Sequence, residues 1–537
     1  MIEVKLLGDR IFLDFTDATK REEAEGRSFL STLPSVARKK GGFSCQRTPA
    51  TAAQIHLSGL FRVSRGVFDL AEEFTEGLRE RSLPHHDLKF KTDPWSHQMD
   101  AFEFSFWKAS SMLALEMGTG KTKVAIDLVT NWMSETVLIL CPKSVLGVWF
   151  REFDRHSVDP VEILILDKGT GKKKSEKIEN LMTDPTKIRK VVVINYESLL
   201  SKDVKRVVSA IHWGAIIADE SHRIKSPTGK TSKLVSKLKT DRRLCLTGTP
   251  MPHSPLDLFA QFRFLDAGIL GGSFTSFRNR YAVTNPRFPS QVRRWKNQDE
   301  LNELFKTVAF RVRAEDVLDL PPVTHEVIPI TLDAPNVYRD IESEFVADVK
   351  EGRIVVNNAL TKLLRLQQLT GGHCVTEDGE VIRTDTSKER GLSDLIEGVD
   401  STEKVVVFCR FRQDLKIVRN IAKKLGRDYG EISGSQKDIT DTGEMPDDIE
   451  VLGVQIQSGG VGIDLTKARI AIYYSLGFSL GDYEQSLARC HRAGQNKSVI
   501  FYHLVVTGTI DEKVYQALSN RRDIVESVME IIKEVDE

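Results

Sequence analysis

An apolar run, Met112-Leu113-Ala114-Leu115, leads directly into Glu116-Met117-Gly118-Thr119-Gly120-Lys121-Thr122, and an amphipathic stretch, Val124-Ala125-Ile126-Asp127-Leu128-Val129, follows. That order reads as strand, glycine loop and helix, and it constrains the fold more tightly than any other feature of the chain. Backbone N–H groups of such a loop, together with the helix N-terminus, point at a bound phosphate. Gly118, Thr119 and Gly120 would cradle the anion, Lys121 would reach the β- and γ-phosphates, and the Thr122 hydroxyl would hold Mg2+. The strict pattern asks for glycine where Leu115 stands, so the loop alone is a loose match.

A second element strengthens it. Gly214-Ala215-Ile216-Ile217-Ala218 reads as a buried parallel strand that ends in Asp219-Glu220-Ser221-His222. A carboxylate at the C-terminal end of such a strand is placed to hold Mg2+, directly or through water, which is the role of Asp219. Its neighbour Glu220 would polarise the attacking water. A lone Asp-Glu is more often an acidic strand-to-loop turn; the upstream Gly-Lys-Thr favours the catalytic reading.

The bulk properties exclude little. A length of 537 residues allows roughly three or four domains. Lys+Arg and Asp+Glu balance at 76 each, so any nucleic-acid surface must come from local segregation of charge. Cys45, Cys141, Cys245, Cys374, Cys409 and Cys490 have no CxxC spacing, which argues against zinc or a disulfide framework and for a reducing, intracellular setting. No apolar stretch approaches a membrane span, and Met1-Ile2-Glu3-Val4-Lys5 does not read as a signal peptide.

Along the chain, residues 1–88 alternate strand-like runs (Ile2–Leu7, Arg10–Phe15) with helical patterns (Arg21–Leu33, Ala50–Leu57, Phe68–Arg81) and predict a small accessory α+β module. Residues 89–270 alternate helical patterns with short Val/Ile/Leu runs at Thr136–Cys141, Val161–Leu166, Lys190–Asn195, Ala215–Ala218 and Leu244–Leu246. Runs that are apolar at every position, rather than at every second one, indicate a parallel sheet covered on both faces. Residues 271–385 lose that rhythm. They carry a basic and aromatic cluster (Phe277, Arg278, Arg280, Tyr281, Arg287 and Arg293-Arg294-Trp295-Lys296) and one long helical pattern from Tyr338 to Leu369. The cluster and Lys172-Lys173-Lys174 are candidate phosphate contacts, with solvated loops as the plainer reading. Residues 386–537 restore the rhythm and predict a second parallel sheet without a phosphate loop of its own. The fold class is thus α/β, with two parallel-sheet lobes in tandem, a helical segment between them and the N-terminal module.

With only one lobe carrying the loop lysine, the second is expected to bring a cation to the nucleotide. Arg489 and Arg492, three apart on a predicted helix, share a face and would clamp a transferring γ-phosphate. They follow a glycine-rich turn, Ser458-Gly459-Gly460-Val461-Gly462-Ile463-Asp464-Leu465.

Taken together, these motifs resemble those of the Swi/Snf-type ATPases of helicase superfamily 2 over roughly residues 90–515. His97-Gln98 resembles the family's Q motif, in which Gln98 would meet the adenine. Glu116–Thr122 resembles motif I, and Asp219–His222 motif II in its DExH form. Cys141-Pro142-Lys143-Ser144 with Trp149 resembles motif Ia, a contact to the DNA backbone, and Asn195–Leu199 resembles motif Ib. Leu246-Thr247-Gly248-Thr249-Pro250 is similar to motif III. Leu363–Gly372 resembles the family's interlobe segment, Val405–Asp414 motif IV, Ser458–Leu465 motif V and Gln485–Gln495 motif VI. By this resemblance the lobes are RecA-like, and Gly462 and Asp464 join the nucleotide site. Lys143, Ser144, Trp149, Thr247, Ser458 and Gly459 would face nucleic acid. Gln436–Asp441 and the acidic Asp447-Asp448 stand where the family usually has an Arg-bearing helix, a departure that bears on one second-lobe DNA contact expected from the resemblance. The compact chain resembles phage or bacterial members, and residues 1–88 distantly resemble the junction-reading HARP domain.

The resemblance implies ATP and Mg2+ as cofactors, duplex or branched DNA as partner in preference to single strands or RNA, and ATP-driven translocation along DNA. A strand-separating or fork-reversing helicase shares every motif. A nucleotide-gated DNA-binding regulator without turnover is the alternative from another class, and the retention of Lys121, Glu220, Arg489 and Arg492 argues against it.

Overall fold

The computed structural model describes residues 2–30, 32–76, 88–252, 254–285, 292–344, 346–349, 352–355, 359–376, 379–440, 443–457 and 463–520. By internal contacts the chain divides into two units, Met1–Val317 and Leu318–Glu537.

In the first unit the apolar runs pair into a seven-stranded sheet, all parallel, in the order Ala309–Val312, Ser110–Leu115, Lys239–Leu246, His212–Asp219, Thr136–Cys141, Arg189–Asn195, Val161–Ile165. The central strands have no face for water: Val137 through Cys141 and Val191 through Ile194 are each 0 % exposed. That two-sided burial is why they read as continuous hydrophobic runs. Since all strands point the same way, their C-terminal ends share one edge. The phosphate loop follows Ser110–Leu115 there, and Glu220 follows His212–Asp219.

The described residues before position 77 form a five-stranded sheet in the order Ala37–Lys39, Gly42–Gln46, Arg10–Asp14, Ile2–Leu7, Phe61–Val63, with helices Lys20–Leu30, Pro49–Leu57 and Arg65–Glu76. It has its own core of Ile2, Val4, Ile11, Leu13 and Ile55. It is also tied to the loop that follows the helix Leu258–Leu265: Ala50 N donates to Asp266 Oδ2 at 3.1 Å, and Gln54 donates to the Gly268 carbonyl.

The second unit holds a six-stranded parallel sheet in the order Val323–Ile330, Val499–Val506, Ile470–Tyr473, Val405–Cys409, Val451–Gln455, Tyr429–Ile432. Its edge strand Val323–Ile330 escapes sequence reading because its outer residues are exposed. The long helix expected from Tyr338 to Leu369 is two helices, Pro335–Glu344 and Ala359–Thr370, separated by an antiparallel hairpin of Val346–Val349 and Gly352–Val355. The β-branched residues on either side of Gly352 favour strand over helix there. Among the described residues no helix is long and apolar enough to cross a membrane.

Candidate nucleotide site

The phosphate loop is shaped by its glycines. Gly118 and Gly120 adopt φ of 84° and 87°, in the left-handed region. Gly120 caps the helix Lys121–Asn131. A Cβ at Gly120 would lie 2.2 Å from Gln98 Nε2, so close packing against Gln98 requires glycine as well. Gln98 is buried; its Nε2 donates to the Thr119 carbonyl at 3.1 Å and its Oε1 accepts from Trp95 N at 3.0 Å. His97 Nε2 lies 2.9 Å from the same carbonyl. Gln98 therefore braces the loop from behind. Thr119 Oγ1 donates to the Glu116 carbonyl at 2.7 Å, and Lys121 Nζ donates to the Leu115 carbonyl at 2.8 Å. The sheet-edge segment supports the loop's start: Glu116 N donates to the Val312 carbonyl at 3.0 Å, and Glu116 Oε2 accepts from Ala314 N at 3.0 Å.

At the end of the acidic strand Glu220 takes φ of 50°, a left-handed conformation that costs a non-glycine residue about 1–3 kcal/mol. Asp219 is held at three points. Oδ1 accepts from Glu220 N at 2.9 Å, Oδ2 accepts from the Trp149 indole Nε1 at 3.1 Å, and the backbone carbonyl accepts from Tyr196 Oη at 2.6 Å. Burial, and then the adjacent Glu220 carboxylate, push the Asp219 carboxyl up to about 7, while the Lys121 ammonium pulls it down. Lys121 is thus close enough to Asp219 to act on its charge. His222 Nδ1 lies 3.3 Å from Glu220 Oε2 and 3.4 Å from Thr247 Oγ1, which links the acidic turn to the next strand end.

These residues suit a divalent cation. Two adjacent carboxylates repel each other in a buried setting, and added positive charge relieves that. Among the described residues no cluster of three or more His, Cys, Asp or Glu side chains forms a self-contained metal site. A cation that shares one carboxylate with nucleotide phosphates is the usual arrangement for Mg2+.

Several sequence expectations change. Trp149 is 0 % exposed, so its ring has no surface to offer DNA; it positions Asp219 instead. Thr247 is also 0 % exposed and accepts from Thr249 N at 3.1 Å, so it belongs to the interior of the turn. Lys143 remains exposed beside Asp167, at 3.8 Å, and Ser144 is half-buried. Arg489 and Arg492 do not share a helix face, because the helix Leu480–Cys490 ends between them. Arg489 is buried, with Nη1 3.4 Å from the Ile463 carbonyl, and Arg492 lies 3.8 Å from Asp464. Asp464 Oδ1 also accepts from Thr466 N and Oγ1, at 2.9 and 2.6 Å. Ser458, Gly459 and Gly462 lie outside the described residues, as does Arg287. The basic–aromatic cluster is divided: Phe277 and Tyr281 are core residues, and Arg280 pairs with Glu300 at 2.8 Å. Lys174 turns inward to the Asp167 carbonyl and Ser198 Oγ, leaving Lys172 and Lys173 outside. Trp149, Tyr196 and Glu116 are the supports that motif reading missed as partners of the site.

Comparison with known proteins identifies the family. Residues 65–372 match the SNF2-related domain, and residues 387–494 match the helicase conserved C-terminal domain. The chain is 26 % identical over 488 residues to the DNA repair and recombination protein RAD54B of Gallus gallus, covering 79 % of this chain and 52 % of that protein. It is 26 % identical over 463 residues to the DNA repair and recombination protein RDH54 of Saccharomyces cerevisiae, covering 75 % of this chain and 50 % of that protein. An uncharacterized ATP-dependent helicase of Mycoplasma pneumoniae is 24 % identical, with 87 % of this chain and 44 % of that protein covered. The chain thus spans about half the length of the curated relatives it matches. A solved structure, the Sulfolobus solfataricus SWI2/SNF2 ATPase core in complex with dsDNA, aligns at 23 % identity and TM-score 0.39, covering 84 % of this chain and 99 % of that one. With the SNF2-related domain taking in more than half of its length, this chain belongs to the SNF2-related family, among the Swi/Snf-type ATPases of helicase superfamily 2.

Proposed function

We propose that the protein is a DNA-dependent ATPase that moves along, or remodels, duplex or branched DNA. The observation that carries this reading is that the phosphate loop and the Asp219–Glu220 turn follow the strands Ser110–Leu115 and His212–Asp219 at one edge of the same parallel sheet. Family membership supplies the class of reaction, and DNA is the substrate that the names of the relatives RAD54B and RDH54 suggest.

The loop N–H groups from Gly118 to Lys121 bind the phosphates, and Lys121 exchanges its hold on the Leu115 carbonyl for the β- and γ-phosphates. Thr122 and Asp219 would hold Mg2+, which neutralises phosphate charge when bound. Glu220 orients the attacking water. Lys143 and Ser144 meet the DNA backbone, so binding falls with salt and shows little base preference. The buried free cysteines suit a reducing, intracellular setting.

The test is ATP hydrolysis by the purified protein alone and with single-stranded DNA, duplex, a branched fork and RNA. Stimulation by duplex or fork is the expected result. Hydrolysis that no DNA stimulates sinks the DNA-motor reading, and stimulation by single strands only transfers it to an unwinding helicase. Lys121→Ala is expected to lower turnover at least about a hundredfold while DNA binding persists; wild-type turnover in that variant would remove Lys121 from the site.

A further inference from the structure

The N-terminal ends of the strands Ser110–Leu115 and Lys239–Leu246 lie at the sheet edge opposite the phosphate loop, and there the sheet and the N-terminal module bound a cavity of about 610 Å³. The module contributes Arg47, Thr48 and Phe74; the sheet side contributes Lys108, Arg243 and Arg263. Arg242 adds a further cation to the wall, against two carboxylates, Asp241 and Asp266.

Both carboxylates are already engaged. Asp266 accepts from Ala50 N at 3.1 Å and Gly268 N at 2.7 Å, and it lies beside Arg243. Asp241 lies 2.7 Å from His212 Nε2. Two of the cations have no carboxylate partner among the described residues. Lys108 is half-buried, donates to the Phe104 carbonyl at 2.9 Å and lies 3.8 Å from the centre of the Phe104 ring. Burial alone brings its ammonium down to about 8. Arg263 donates to the Pro227 carbonyl at 3.0 Å and to Ser232 Oγ at 3.2 Å, while its Nε is buried with no hydrogen-bond partner among the described residues. Desolvated cations without a counter-ion are costly, and an anion in the cavity offsets that cost. The volume suits a ligand of nucleotide size, and the aromatic wall of Phe74 and Trp107 offers apolar surface beside the charge.

We propose that this cavity is a second anion site, separate from the phosphate loop, which takes a phosphoryl group carried on a nucleotide-sized moiety. Two sources present that chemistry: a free nucleoside diphosphate and the 5′ end of a DNA strand.

Lys108 provides the readout. The intact protein is treated with an amine-acylating reagent near pH 8, and modification of the Lys108 peptide is followed by mass spectrometry. The probes are ADP, a 5′-phosphorylated oligonucleotide, the same oligonucleotide with a 5′-hydroxyl, and inorganic phosphate. Protection of about tenfold by ADP, or by the 5′-phosphorylated strand but not its hydroxyl counterpart, is expected and identifies the source. Protection must persist in Lys121→Ala, which separates this cavity from the nucleotide site whatever the outcome for ATP hydrolysis. It must weaken in Arg47→Ser, a change at an exposed position that leaves the core untouched. Failure of every probe to protect, protection by inorganic phosphate only, loss of protection in Lys121→Ala, or full protection in Arg47→Ser overturns the proposal.

Discussion

Trp149 sits in a segment whose motif suggests DNA, yet its indole points the other way. The short turn Lys143–Val145 keeps Lys143 outside, and the helix Leu146–His156 that follows carries Trp149 inward to Asp219. A hydrogen bond to a charged group is worth about 1.5–3 kcal/mol, or roughly 10- to 150-fold in an equilibrium or rate. Trp149→Phe keeps the ring and removes the donor. The expected result is a fall of about tenfold or more in kcat with DNA affinity unchanged, read by steady-state hydrolysis and by fluorescence anisotropy with labelled duplex. A weakened duplex affinity with normal kcat would restore the DNA-contact reading. Sequence could not reveal this bond. The loop and the acidic pair are each contiguous and stand out, whereas Trp149 and Tyr196 lie 70 and 23 positions from Asp219 and meet it only through the fold.

At the level of elements, the phosphate-loop helix contains a buried ion pair, Lys123 Nζ to Asp127 Oδ2 at 2.5 Å, four residues apart. Removing one partner of such a pair costs about 3–5 kcal/mol, while replacing both by apolar residues is often neutral. Asp127→Leu is therefore expected to lower the unfolding midpoint of the first unit clearly, and Lys123→Met with Asp127→Leu to recover most of it, measured by calorimetry. In the second unit, His503 lies on the strand Val499–Val506, stacked on Tyr473 at 4.8 Å and 3.0 Å from Tyr483 Oη. Burial brings its imidazole from an ordinary 6.5 down to about 3, so the folded state requires it neutral. Its contribution to stability is present above pH 6.5 and is lost as pH falls toward 3. His503→Phe should flatten the acid limb of denaturant midpoints between those values; an unchanged limb would remove His503 as its cause. Strands buried on both faces were legible from sequence because every position is apolar. The hairpin within Tyr338–Leu369 was not, since helical spacing on either side of it continued through a short β-branched stretch.

At the scale of the whole first unit, the N-terminal module and the loop after the helix Leu258–Leu265 meet through glycines with almost no clearance. A Cβ at Gly268 would lie 2.4 Å from Thr51 N and 2.8 Å from Ala50 C, and one at Gly272 would lie 2.5 Å from Pro34 Cα. Backbone cannot yield as a flexible side chain can, so Gly268→Val is expected to cost about 1–3 kcal/mol by overpacking. Limited proteolysis should then cut within residues 1–76 at rates well above wild type, and an unaltered digestion pattern would mean that the contact is dispensable. The same close fit makes the module a fixed outrigger of the unit that carries the phosphate loop. Any ligand held by the module would be registered to that unit to within atomic dimensions, without the slack that a tethered adaptor would introduce.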